Sequence, residues 1–214
     1  MHEQRIRLGF LILLSLLLPV IFLPGCIFRK LTEAERYAAW AIQRSEEITA
    51  YQAFLDENAV GDIVPMSQLL KSARDWKKCR VEAFTMPPKE LWPNIVPTLQ
   101  VVKKFKAEGI LINPVAASVY RDPVLNVCAG GSLKSKHLQL NAIDFNIEVT
   151  PDSLETLCNA WRVSGPELKL GLGFYSPSRI HLDTLGHRGW GSDQTHKSSL
   201  CLLAEPELES KAQP

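Results

Sequence analysis

Between residues 142 and 147 small or polar side chains alternate with large apolar ones, Ala142, Asp144 and Asn146 against Ile143, Phe145 and Ile147. That period of two predicts a half-buried strand. It recurs at 179–183, with Arg179, His181 and Asp183 on one face and Ile180 and Leu182 on the other. At 168–175 Leu168, Leu170, Leu172 and Phe174 alternate with Lys169, Gly171, Gly173 and Tyr175, and the glycines leave room on one face. A turn at Ser176-Pro177-Ser178 returns the chain into the His181 strand. Further strands are predicted at 114–120, ended by the Arg121-Asp122-Pro123 turn, and at about 198–203. A loop is expected at 128–132, leading to His137.

Helical spacing organises the rest. Thr32 and Glu35 have capping-box spacing and open a helix with Tyr37, Trp40, Ala41, Ile48, Tyr51 and Leu55 on one stripe, broken by Gly61 and Pro65. A second helix is predicted over 67–79, carrying Leu69, Leu70, Ala73 and Trp76. Pro87, Pro88, Pro93 and Pro97 predict an extended, rigid connector. A third helix follows, with Leu99, Val102 and Phe105 inward and Gly109 as its cap. Thr150-Pro151-Asp152 opens a fourth, whose buried stripe is Leu154, Leu157, Cys158 and Trp161. The expected class is α+β, a small antiparallel sheet flanked by helices. A helical lead-in and connector would occupy 26–97, the main domain 98–204 and a disordered tail 205–214.

Length and charge narrow this little. With 214 residues, 46% of them hydrophobic, the chain can bury one real core but not two generous ones. The net charge is +1, and beyond residue 25 the chain holds 22 basic and 22 acidic residues, so no nucleic-acid partner is expected. Lys103, Lys104 and Lys106 read as a solvated helix face.

The N-terminus changes the picture more. Arg5 and Arg7 precede an apolar run from Leu8 to Leu23, as in an export signal. The run ends in Leu23-Pro24-Gly25-Cys26, which resembles the lipobox of bacterial lipoproteins, with Pro24 departing from the usual small residue. The resemblance implies that 1–25 is a signal peptide and Cys26 a lipidated first residue. The protein would then face the periplasm or cell exterior from a membrane of the bacterial cell envelope. An uncleaved N-terminal anchor is the alternative, with the same topological result. Cys79, Cys128, Cys158 and Cys201 form an even set suited to an oxidising compartment. Three pairings exist. Cys79 with Cys128 and Cys158 with Cys201 is favoured, since each would tie a helix to a neighbouring element in the same half of the chain. No spacing suits a cysteine zinc site.

His137, Asp144 and His181 are the candidate chemistry. Two imidazoles and a carboxylate can hold zinc and leave a position for water. A metal-free alternative, with both histidines satisfied in the core and Asp144 pairing or capping, also fits the spacing.

Ser135-x-His137 followed by Ala142-Ile143-Asp144 resembles the Ser-x-His-x-x-Gly-x-Ala-x-Asp signature of the zinc D-Ala-D-Ala carboxypeptidases, which share their fold with the hedgehog signalling domain. Three further segments are similar in the same order. Ser118-Val119-Tyr120-Arg121-Asp122-Pro123 with Asn126 is one, and Gly171-Leu172-Gly173-Phe174-Tyr175-Ser176-Pro177 is the second. His181-Leu182-Asp183-Thr184 with Arg188 and Trp190 is the third. The resemblance implies zinc held by His137, Asp144 and His181, and Arg121 holding substrate and stabilising the oxyanion. It also implies Ser135 near the substrate, with capping of the turn before His137 as that residue's other role. The expected substrates are peptidoglycan stem or cross-link peptides, cleaved beside a D-amino acid. Leu140 or Asn141 stands where the signature has glycine, and Ser178 and Arg179 stand where many members carry an acid or histidine. Asp183 is therefore the nearest candidate base, or else an acceptor that orients His181 or another ligand. His187 and His196 are expected to be exposed. A non-catalytic lipoprotein that keeps the fold and binds peptidoglycan or a partner is the alternative function.

Overall fold

In the computed structural model, which describes residues 29–203, the capping box at Thr32 and Glu35 is formed and opens α1 (Glu33–Ile42). The expected signal peptide, the lipidation site Cys26 and the 205–214 tail lie outside the described residues. The first helical stripe is divided between α1 and α2 (Ser45–Glu57). At Arg44 the backbone leaves helical values, and its guanidinium folds over Trp40 at 4.6 Å and onto Glu82 at 3.0 Å.

The predicted 67–79 helix shrinks to α3 (Met66–Leu69). Ser72 explains the stop: its N–H and hydroxyl bond to the carbonyls of Ala83 and Glu82, and Lys71 bridges Phe84, so the backbone there is satisfied outside a helix. The proline connector is only partly extended. A 3-10 helix at Lys89–Ile95 runs straight into α4 (Val96–Ala107), and Pro97 stands in the first turn, where a missing N–H costs nothing.

Beyond β1 (Val115–Ser118), the expected turn becomes a helix start. The Asp122 carboxylate accepts from the N–H groups of Val124 and Leu125, opening α5 (Pro123–Cys128). Then come β2 (Ala142–Asn146), α6 (Pro151–Val163), α7 (Gly165–Leu168), β3 (Gly171–Ser176), β4 (Arg179–Asp183) and β5 (Arg188–Trp190). The strand expected near 198–203 is instead a 3-10 turn, His196–Ser198, followed by α8 (Leu200–Leu203). Six apolar-rich residues suit either element. Here the turn lies against α6, tied by Cys158–Cys201 and by Arg162 donating to the Cys201 carbonyl.

The sheet order is β1-β2-β4-β3-β5. The first four strands pair antiparallel, and the short β5, unforeseen from the sequence, adds a parallel edge to β3. Trp40, Tyr51, Leu55, Leu99 and Phe105 share one core with Phe145, Phe174 and Ile180, so no core boundary falls near residue 97. Cys79–Cys128 and Cys158–Cys201 are both formed, with Cα separations of 5.8 and 4.9 Å.

Candidate metal centre

Asp144 of β2 lies directly opposite His181 of β4, which puts both side chains on one face of the sheet. His137 arrives from the 3-10 turn Lys136–Gln139. Leu140 then takes a left-handed φ of 54°, which folds the turn back over β2. Leu140 is one of the two residues that stand where the resembled signature carries glycine. The leucine carries the strain of a conformation that glycine adopts freely, and its side chain is fully buried in compensation.

The three groups converge on one point. His137 Nε2 is 3.1 Å from Asp144 Oδ1, His181 Nδ1 is 2.9 Å from the same oxygen, and the two nitrogens are 3.2 Å apart. All three residues are buried. The opposite nitrogens fix the tautomers. His137 Nδ1 lies 2.6 Å from the Val119 carbonyl, and His181 Nε2 lies 2.9 Å from Asp183 Oδ2. Both partners only accept, so both of those nitrogens donate. Each ring, when neutral, therefore presents a lone pair to Asp144. Three lone pairs at such spacing repel unless a cation or proton stands among them. Zinc bonds of about 2.0–2.1 Å in a tetrahedron place ligand atoms roughly 3.3 Å apart, so the set fits zinc.

Residues 65–183 match the family model described as Peptidase M15. The chain belongs to the peptidase M15 family. No curated protein and no solved structure matches it. The M15 match takes in all three converging residues and ends at Asp183, so Arg188 and Trp190 lie beyond it.

In this M15 chain Asp183 works from behind His181. Its carboxylate is fully buried on the far ring nitrogen, accepts from the Leu185 N–H, and is paired with Arg188 through both oxygens. Of the two roles open from sequence, base or orienting acceptor, this position suits the second. A base must reach the proton it removes, and here the imidazole lies between. Gly171 makes the arrangement possible, because a Cβ there would come within 2.4 Å of Asp183 Oδ2.

Arg121 is held from two sides. Asp122 is engaged in capping α5, and Arg121 Nη2 instead meets Asp144 Oδ2 at 2.5 Å while its Nε donates to Ser118 Oγ at 2.9 Å. The Tyr175 hydroxyl donates to Asp144 Oδ1 at 3.3 Å. Tyr175 and Trp190 sit at the site as part of the motif resemblance, but nothing in their own spacing marked them. The Trp190 ring packs 5.5 Å from His181 and 5.0 Å from Tyr175, over Gly173, where a Cβ would fall 1.9 Å from the indole. The alternating glycines were the available signal. Ser135 is half-buried at the start of the His137 turn and makes no side-chain cap bond. It lines a cleft of ≈ 670 Å³ together with Arg121, Tyr175, Trp190 and the three converging residues. His187 and His196 are exposed and bond to backbone carbonyls of Trp161 and Gly189 outside the cleft.

The electrostatics agree with cation binding. Burial pushes the Asp144 carboxyl upward, but the charges and hydrogen bonds of His137 and His181 prevail and hold it well below the usual range. Burial keeps His137 below its ordinary value despite the pull of Asp144. For His181 burial is outweighed by hydrogen bonds to Asp144 and Asp183, which raise it. Asp183, also opposed by burial, is drawn down to about 2 by His181, Arg188 and the Leu185 N–H. Burial first, and then the Asp144 charge, raises the Tyr175 phenol, so it stays protonated at neutral pH.

Proposed function

We propose that this M15 chain is a zinc metallopeptidase of the bacterial cell envelope. It would be lipid-anchored at Cys26 and hydrolyse peptidoglycan stem or cross-link peptides beside a D-amino acid. What carries this reading is the convergence of three buried lone pairs, each held from behind, in a family of metallopeptidases. His137, Asp144 and His181 would hold the metal. A zinc ion held there would supply Lewis acidity, both to activate water and to polarise the carbonyl under attack. Val119 and Asp183 fix the two rings from outside, which keeps the ligand atoms in place. Arg121, pinned by Ser118 and Asp144, offers a fixed cation to the oxyanion. Tyr175 keeps a neutral donor on Asp144 Oδ1, the oxygen that faces the two imidazoles, and half-buried Ser135 lines the cleft where substrate would lie.

One observation favours the binding-only alternative. With Asp183 turned away and Ser178 and Arg179 ahead of His181, Asp75 is, among the described residues, the one carboxylate besides Asp144 lining the cleft. Digestion of muropeptides by the full-length protein in detergent decides between the readings. Release of a D-amino acid or of a cross-linked partner, abolished together with zinc content in His137→Ala, is the expected result. Stoichiometric zinc without any cleavage would leave only the binding role.

A further inference from the structure

The chain as a whole carries a net charge of only +1, yet the cleft is strongly cationic. Arg74, Arg121, Lys134, Lys136, Arg179 and Arg188 line it against two carboxylates, Asp75 and Asp144. Arg121 and Arg188 are engaged with Asp144 and Asp183, and Arg74 lies 3.5 Å from Asp75. Lys134, Lys136 and Arg179 have no carboxylate partner among the described residues. On a convex face such residues would simply be solvated. Gathered in a concavity beside a metal centre they repel one another, and a ligand's negative charge relieves that repulsion.

Arg179 is the best placed of the three. It precedes His181 by two residues on β4 and so shares the face of the sheet that carries the metal centre. Its Nε donates to Asn146 Oδ1 at 3.1 Å, steadying the guanidinium. It stands where the cleft passes into a second hollow of ≈ 250 Å³, which it lines with Arg74 and Asn146. Two residues of strand span about 7 Å, close to the reach from one peptide unit to the side group of the next. A group gripped by Arg179 therefore belongs to a residue neighbouring the bond at the metal.

We propose that Arg179, assisted by Lys134 and Lys136, reads a carboxylate on a residue flanking the scissile bond, so that the cleft selects peptides with free acid groups over their amides. The inference rests on the peptidase reading for the bond concerned, but not for the binding selectivity. An arginine fork matches carboxylate bidentately, and charge-assisted bonds of this kind are the strong ones.

The probes are the stem tripeptide L-alanyl-γ-D-glutamyl-L-lysine with its C-terminus amidated, in which both peptide bonds flank the glutamyl residue, and the same peptide with its glutamyl α-carboxylate amidated as well. Binding to the zinc-loaded, full-length protein is measured by calorimetry and cleavage by chromatography. The acid form should bind about tenfold tighter or more at low salt. That preference should shrink as salt rises and collapse in Arg179→Gln and in Lys134→Gln/Lys136→Gln. Equal affinity for acid and amide overturns the inference, as does a preference that survives all three substitutions. Tighter binding of linear polyphosphate than of the acid peptide would also overturn it, assigning the cations to a phosphate polymer. Acid-selective binding without cleavage sinks the peptidase reading and leaves this one standing, whereas cleavage without selectivity does the reverse.

Discussion

At His181 both ring nitrogens are committed, Nδ1 to the converging centre and Nε2 to Asp183, which is itself gripped by Arg188. Removing the charge of Asp183 while keeping its shape should therefore loosen the metal rather than stop a proton transfer. In Asp183→Asn, zinc affinity is expected to fall about 10–100-fold, measured by competition with a chromophoric chelator. A variant that binds zinc as tightly as wild type but loses turnover would return Asp183 to the role of base. His137, Asp144 and His181 were legible as a set because motif order and strand alternation marked them. The roles of Asp183 and Arg121 were not, because a period of two says which face a side chain takes and nothing about which neighbour it meets. Leu140 shows the same limit. The missing glycine was visible, but its left-handed backbone, compensated by burial, was not.

Among the elements, the long alternating strands were read correctly in kind, with β3 starting later than its pattern because Gly165–Leu168 closes as α7. Elements with weak local patterns were missed. The three residues of β5 have no period to display, and they become a strand only because β3 offers a free edge. Asp122-Pro123 serves equally as a turn and as a helix start, and Cys79–Cys128 anchors the helix that results. That disulfide joins two parts of the cleft wall, Arg74 and Asp75 before Cys79 and residues 129–132 with Lys134 after Cys128. Its separation of 49 residues corresponds to roughly 4 kcal/mol on chain-entropy grounds. Cys79→Ser/Cys128→Ser should lower the melting temperature and weaken peptide binding while zinc affinity holds, because the ligands stand on β2, β4 and the His137 turn. Cys158→Ser/Cys201→Ser should cost comparable stability without weakening peptide binding, since α6 and α8 do not line the cleft. Calorimetric melts paired with peptide titrations of both double variants test this.

For the molecule as a whole, the buried ionisable network gives the metal-free protein a defined acid response. Asp183, lowered from 3.8 to about 2, contributes stability that is fully present above pH 3.8 and lost as pH falls through about 2. The amount is ~2 kcal/mol, and Asp144 adds in the same direction. His137, held below 6.5, costs stability as pH drops under that value, because the unfolded chain takes a proton the folded one refuses. His181 has the opposite sign: its contribution is complete below pH 6.5 and is lost as pH rises through its raised value. Chelator-treated protein should thus melt progressively lower on acidification, and Asp183→Asn should flatten the part of that decline below pH 3.8. Thermal melts of both proteins across the acid range check it. By itself the sequence determined the α+β class, the antiparallel pairing of the long strands, the three converging residues and an even cysteine set. Each of these follows from local period, spacing or motif. Tertiary structure alone decided that residues 32–97 share the core of the sheet, that Asp183 stands behind His181, and that cations from distant segments line one cleft. Those outcomes depend on which faces meet across the fold, and no local pattern encodes that.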